Sequence, residues 1–86
     1  MLKVGKFYVY IVECQDGAYY TGYTNDLEKR IDEHNNSKRG ARYTRYKRPV
    51  KLVYAKEYQY YKDALDEERN IKKLTREQKE ELVIEG

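Results

Sequence analysis

Tryptophan is absent from these 86 residues, and proline, cysteine, methionine, phenylalanine and histidine occur once each. A lone cysteine, Cys14, excludes an internal disulfide framework and suits a reducing compartment. It sits late in an apolar block, as a buried or strand-end thiol does. The longest unbroken apolar run is Phe7 to Val12, far short of the ~20 residues that span a bilayer. The N-terminal residues do not read as a signal peptide. A cytoplasmic location with no membrane partner is the expectation.

Charge and tyrosine are what the chain has in plenty. Charged residues make up 38% of the sequence, which alone would suit a disordered chain. The apolar residues nevertheless fall in short periodic blocks, and the aromatic content of 14% exceeds what disordered chains carry. Eleven of the aromatics are Tyr, a ring apolar on its face and hydrogen-bonding at its tip. The length suits one domain, spanning 1–86, with a modest core.

The net charge of +3 is unevenly spread. Lys38, Arg39, Arg42, Arg45, Lys47, Arg48 and Lys51 form a stretch with no acidic residue, while the remainder is mildly acidic. A positive stretch on such a background points to a directed contact with a polyanion.

Phe7 to Glu13 is rich in β-branched and aromatic residues and ends at Gln15-Asp16-Gly17, a turn signal. Ala18 to Thr24 then reads as the returning strand of a β-hairpin. Gly22 inside it predicts a bulge or a close backbone approach. Asn25-x-x-Glu28 has the spacing of an N-cap with a reciprocal glutamate, opening a helix from about Asp26 to Asn35 that buries Leu27 and Ile31. Asn36 to Pro49 lacks periodicity and reads as a basic loop with room for a short helical turn. Val50 to Tyr58 reads as a third strand, with Val50, Leu52 and Tyr54 alternating against Lys51 and Val53. Tyr61 to Lys73 reads as a second amphipathic helix. Thr75-x-x-Gln78 is a capping box that opens a third, which buries Leu82 and Val83. The order β-β-α-β-α-α implies an α+β fold: a three-stranded antiparallel sheet flanked by helices.

Three features carry chemistry. Leu27, Arg30, Ile31 and His34 share one helical face, so an arginine and a histidine sit among apolar neighbours. Arginine's fork of donors suits phosphate oxygens, and His34 could touch the same group or move a proton. Snorkelling of Arg30 and an ordinary helix-end role for His34 are the plainer alternatives. On the second helix Glu68 lies within the face made by Tyr61, Ala64, Leu65 and Ile71. A metal ion would explain its placement, and so would an ion pair with Arg30 or rotation of the face. Tyr10 and Tyr20 flank the hairpin, where tyrosines usually pack. A phenol serves as a base only where positive neighbours favour its phenolate.

Y-V-Y at Tyr8 to Tyr10 and Y-T-G at Tyr20 to Gly22 resemble the paired signatures of the GIY-YIG nuclease superfamily. T-N-D-L-E-K-R, Thr24 to Arg30, places an arginine where that family has its own, and His34 falls where the family carries His or Tyr. A-L-D-E-E-R-N-I-K-K, Ala64 to Lys73, resembles the helix bearing the family's metal-binding Glu and selects Glu68. The resemblance runs from about Tyr8 to Val83, and Gly40 to Tyr54 is similar to a branch of small stand-alone members. Tyr8 stands in place of the first Gly. Tyr23 stands where the excision-repair relatives have a Lys beside the base, and the family's late Asn has no sure counterpart.

The resemblance implies a Mg²⁺- or Mn²⁺-dependent endonuclease acting on nucleic acid, DNA of single-stranded or branched form foremost, in a DNA-repair setting. Glu68 would hold the metal, Tyr20 would accept the proton of the attacking water, and Arg30 would compensate phosphoryl charge. His34 and Tyr10 would position groups or relay protons. The basic loop would grip backbone through Lys38, Arg39, Arg42, Arg45, Lys47 and Arg48, with Tyr43 and Tyr46 stacking on unpaired bases. The expected assembly is a monomer or weak homodimer, with a protein partner as one source of specificity. Two other readings stay open: a nucleic-acid-binding module whose site has decayed, and an adaptor that uses its tyrosines as a contact surface.

Overall fold

The structure is a computed structural model and describes residues 4–37, 39 and 42–86. Among the described residues six elements follow in the expected order: β1 (Val4–Glu13), β2 (Tyr19–Thr24), α1 (Leu27–Asn36), β3 (Lys51–Tyr60), α2 (Tyr61–Lys72) and α3 (Arg76–Glu85). The sheet is antiparallel throughout, in the order β2-β1-β3.

β1 is the central strand, and Val9, Tyr10, Ile11 and Val12 are all buried. An uninterrupted apolar block reads as a strand covered on both faces. Val9 and Ile11 meet Ala64 and Ile71 of α2, with Leu82 and Val83 of α3 packed at the margin. Tyr10, Val12 and Cys14 face the other way, against Val50, Leu27 and Ile31. The sheet therefore lies between α1 on one side and α2 with α3 on the other.

Local chemistry sets the ends of the elements. The hairpin turn closes through Gly17 N–H donating to the Cys14 carbonyl at 2.9 Å, with Asp16 Oδ1 accepting from the Ala18 N–H at 3.0 Å. Gly17 has φ 87, where a side chain would strain the backbone. The N-cap of α1 is Asp26, whose Oδ1 accepts from the Lys29 N–H at 3.2 Å, one residue later than the Asn25 expected. Thr75 and Gln78 form the full capping box of α3. Asn35 at the end of α1 donates to the Val50 carbonyl at 3.2 Å and accepts from its N–H at 2.6 Å, tying that helix to the start of β3.

β3 departs from the alternation expected of it. Val12 pairs with Leu52 but Ile11 with Tyr54, so Val53 is an extra, bulged residue. Val53 and Tyr54 consequently both pack against the Val9 and Ile11 cluster, while Leu52 is 37% exposed.

Candidate active site

Tyr10 of β1 and Gly22 of β2 are directly opposed. A β-carbon on Gly22 would stand 2.5 Å from Tyr10 Oη and 2.7 Å from Cζ. The tyrosine ring thus lies over the glycine, and of the two expectations for Gly22 the close approach holds. No register shift interrupts the β1–β2 pairing from Tyr8–Thr24 to Glu13–Tyr19.

Behind the ring, a buried polar chain fixes the phenol. Tyr10 Oη and His34 Nε2 are 2.8 Å apart, and His34 Nδ1 and Thr44 Oγ1 are 2.9 Å apart. All three residues are buried. Burial, with a smaller push from the Arg30 guanidinium, lowers the His34 imidazole to about 4, so it is neutral near pH 7. Burial raises the Tyr10 phenol to about 12, against the opposing pull of Arg30. With Arg30 beside the phenol oxygen, the consistent arrangement has the Tyr10 hydroxyl donating to Nε2 and Nδ1–H donating to Thr44. His34 also packs edge-on to Tyr20, with ring centroids 5.3 Å apart.

In front of the ring is an open cavity of about 490 Å³. Tyr10, Tyr20 and Arg30 line it from the α1 side of the sheet; Phe7, Tyr23, Tyr61 and Glu68 line it from the α2 side. The two groups meet at Gly22 because β2 is an edge strand and this position carries no side chain to separate them. Of the residues singled out in the sequence, Tyr10, Tyr20, Arg30 and Glu68 come together here. His34 does not line the cavity; it holds Tyr10 from behind.

The charged groups are held apart from one another. Burial works against the Arg30 guanidinium, but the Tyr10 phenol and Glu33 more than offset it and its affinity for the proton rises. Its Nη1 donates to Glu33 Oε1 at 3.2 Å and to the Arg39 carbonyl at 2.8 Å. The Glu68 side chain is only 13% exposed and pairs with Lys72 Nζ at 3.7 Å. The ion pair of Arg30 with Glu68, one of the sequence-level alternatives, is therefore not the arrangement observed; each has another partner.

One carboxylate facing a roomy, open cavity is a donor set with a definite preference. Among the described residues no three His, Cys, Asp or Glu side chains gather as a metal cage. That disfavours zinc or an all-protein calcium site and fits Mg²⁺ or Mn²⁺, hard ions content with one carboxylate plus water and substrate oxygens.

Sequence reasoning did not single out Thr44, and it placed Tyr61 only on the apolar face of α2. Thr44 sits in an aperiodic loop that gives no signal of burial. The Tyr61 ring packs on Phe7 at 5.5 Å, but its hydroxyl hydrogen-bonds that of Tyr23 at 3.1 Å on the cavity wall.

The basic loop divides by occupation. Arg48 is committed to α1: its Nη2 donates to the carbonyls of Ser37 and, at 3.5 Å, Glu33, and its Nε to that of His34. Lys47 pairs with Asp16 at 3.2 Å and lies 4.0 Å above the Tyr43 ring, which in turn stacks on Tyr20 at 5.8 Å. Tyr43, 48% exposed, thus extends the site's aromatic wall toward the loop. Arg39, Arg42, Arg45 and Tyr46 are exposed, Tyr46 to 90%. Lys38 lies outside the described residues. No helix is long and apolar enough to cross a membrane among those described.

Comparison with known proteins gives a consistent match. A family model described as the GIY-YIG catalytic domain matches residues 6–81. A UPF0213 protein of Staphylococcus saprophyticus is 49% identical over 81 residues, 94% of this chain and 98% of that protein. The UPF0213 protein YazA of Bacillus subtilis is 44% identical over 84 residues, 98% of this chain and 83% of its own. The solution structure of a UPF0213 protein from Bacillus halodurans superposes with a TM-score of 0.60 at 44% identity, covering 92% of this chain and 83% of that one. A solution structure from E. faecalis gives 0.63 at 42% identity, covering 94% and 85%.

Proposed function

The chain belongs to the GIY-YIG family, and from that membership we propose that it hydrolyses phosphodiester bonds of nucleic acid in the cavity beside Gly22. The observation that carries the proposal is the convergence of Tyr10, Tyr20, Arg30 and Glu68 on one cavity from opposite faces of the sheet. A binding module has no use for a half-buried carboxylate aimed at the place where an arginine would hold phosphate.

The division of labour follows from the surroundings of each group. Arg30, kept charged, offers a planar fork of donors to the non-bridging phosphoryl oxygens, where negative charge grows as water attacks. Tyr10, with its proton held tightly, acts as a fixed hydrogen-bonding group and not as a base. His34 and Thr44 hold its ring in place. Tyr20, as its phenolate, would take the proton of the attacking water as the new P–O bond forms, and the leaving oxygen takes up a proton as the old bond breaks. Glu68 would hold a divalent cation, which when bound would polarise the phosphate and steady the leaving oxygen. Lys72 must release Glu68 for this, and at 3.7 Å the pair is loose enough to exchange.

The test is incubation with labelled single-stranded, duplex and branched DNA, and with RNA, in Mg²⁺ or Mn²⁺ and in chelator. Cleavage is expected with metal only. Glu68→Ala should lower it by about a hundredfold or more with an unchanged melting temperature. Equal cutting by Glu68→Ala and the parent chain would sink the assignment. Binding without cleavage in every metal would favour the decayed-site reading instead.

A further inference from the structure

Past Tyr20 the cavity continues into a second, shallower depression of about 270 Å³, lined by Tyr19, Tyr20, Thr21, Tyr43, Lys72 and Lys79. Tyr20 belongs to both hollows, so a single ring separates them. No acidic residue lines the second one. Lys72 reaches it from the end of α2, and with its Nζ 3.7 Å from Glu68 Oε2 this lysine stands between the two. Lys79 reaches it from α3, is half-buried, and has no carboxylate within ion-pair distance among the described residues. The other cations nearby are engaged: Arg76 with Glu80 at 3.0 Å and over the Tyr19 ring, Lys47 with Asp16 and the Tyr43 ring.

We propose that this depression seats the phosphate adjacent to the scissile one, held by Lys79 and Lys72, so that the polynucleotide crosses the β2 edge at Tyr20 and continues over the α2–α3 junction. The proposal rests on the phosphodiesterase reading of the larger cavity and adds the path of the strand. Phosphates recur at every nucleotide, so a hollow that shares Tyr20 with the first is a place for a neighbouring anion. Rings here already have partners: Tyr43 is stacked on Tyr20 and lies beneath Lys47, and Arg76 lies over Tyr19. Lys79, and Lys72 once it leaves Glu68, supply ammonium groups that suit a phosphate as point charges. A partly buried lysine with no counter-ion is the group with most to gain from one.

The experiment uses the full chain and defined oligonucleotides in chelator, so that binding is read without cleavage. In a salt series, Lys79→Gln should weaken binding by up to about fivefold at low salt and reduce the slope of log affinity against log salt by about 0.7. Lys79→Arg should restore both, and Lys56→Gln, which removes the same charge from β3 at the far edge of the sheet, should change neither. A neutral methylphosphonate placed beside the mapped cut, on one side only, should weaken the parent chain but not Lys79→Gln. If Lys79→Gln bound with the parent's affinity and slope, the subsite would be wrong while the nuclease reading stood. If the parent chain bound no oligonucleotide at low salt, both would fall.

Discussion

His34 is the residue whose surroundings do most to define the site without touching it. It is fully buried, and its two ring nitrogens are used by Tyr10 and Thr44 at 2.8 and 2.9 Å. Because folding lowers its pKa from the ordinary 6.5 to about 4, the unfolded chain takes up the proton first as pH falls. The imidazole's contribution to stability is therefore whole above about pH 6.5 and is lost as pH drops toward 4. The full loss amounts to about 3 kcal/mol, with about 2 kcal/mol gone by about pH 5. Urea titrations between neutral pH and about pH 5 measure this, in a range where ordinary carboxylates contribute little. His34→Gln should remove most of the slope. A parent chain equally stable across that range would mean the imidazole is not held neutral by its pocket.

At the scale of elements, α1 is the piece on which the site leans, and both of its ends are fastened by side chains. Asp26 caps the first turn, and Arg48 donates to three carbonyls at the last. A cation there also opposes the negative end of the helix dipole. Arg48→Gln should destabilise the chain by about 2 kcal/mol, read as a fall in the urea midpoint, while leaving the salt dependence of nucleic-acid binding unchanged. A lower salt slope with full stability would instead return Arg48 to the phosphate-binding set. Which element ends were legible in the sequence depended on how local their chemistry is. The Asp16-Gly17 turn and the Thr75–Gln78 box are set by residues within three positions of each other. Asn25 and Asp26 are both good N-caps, so composition alone could not choose between them. The carbonyl partners of Arg48 lie a dozen residues away, so its hold on α1 leaves no local trace in the sequence. The bulge at Val53 is set by pairing with β1, and no pattern within β3 announces it.

The whole molecule explains why the site was legible in its members and illegible in its assembly. Helical periodicity told that Arg30, His34 and Glu68 sit on apolar faces, but not on which side of the sheet each helix packs. α1 and α2 cover opposite faces, so Arg30 and Glu68 approach one another only around the edge of β2, where Gly22 leaves the way open. The tyrosines could be assigned to the site only through the family signatures, since on a hairpin they are indistinguishable from packing residues. Charge at this scale has the same two-part character. The net +3 is small, but Arg39, Arg42 and Arg45 are exposed in the loop that carries Tyr43, and Tyr43 shares a depression with Lys72 and Lys79 of the α2–α3 junction. A strand lying across that wall would displace counterions along its length. The affinity for a single strand should then fall with salt by about 0.7 in log–log slope for every phosphate held. Arg42→Gln should lower that slope by one such step at unchanged stability, because an exposed guanidinium on a turn adds little to the fold. Fluorescence anisotropy with a labelled oligonucleotide over a salt series checks it. A slope near zero in the parent chain would mean that its positive stretch meets something other than a nucleic-acid backbone.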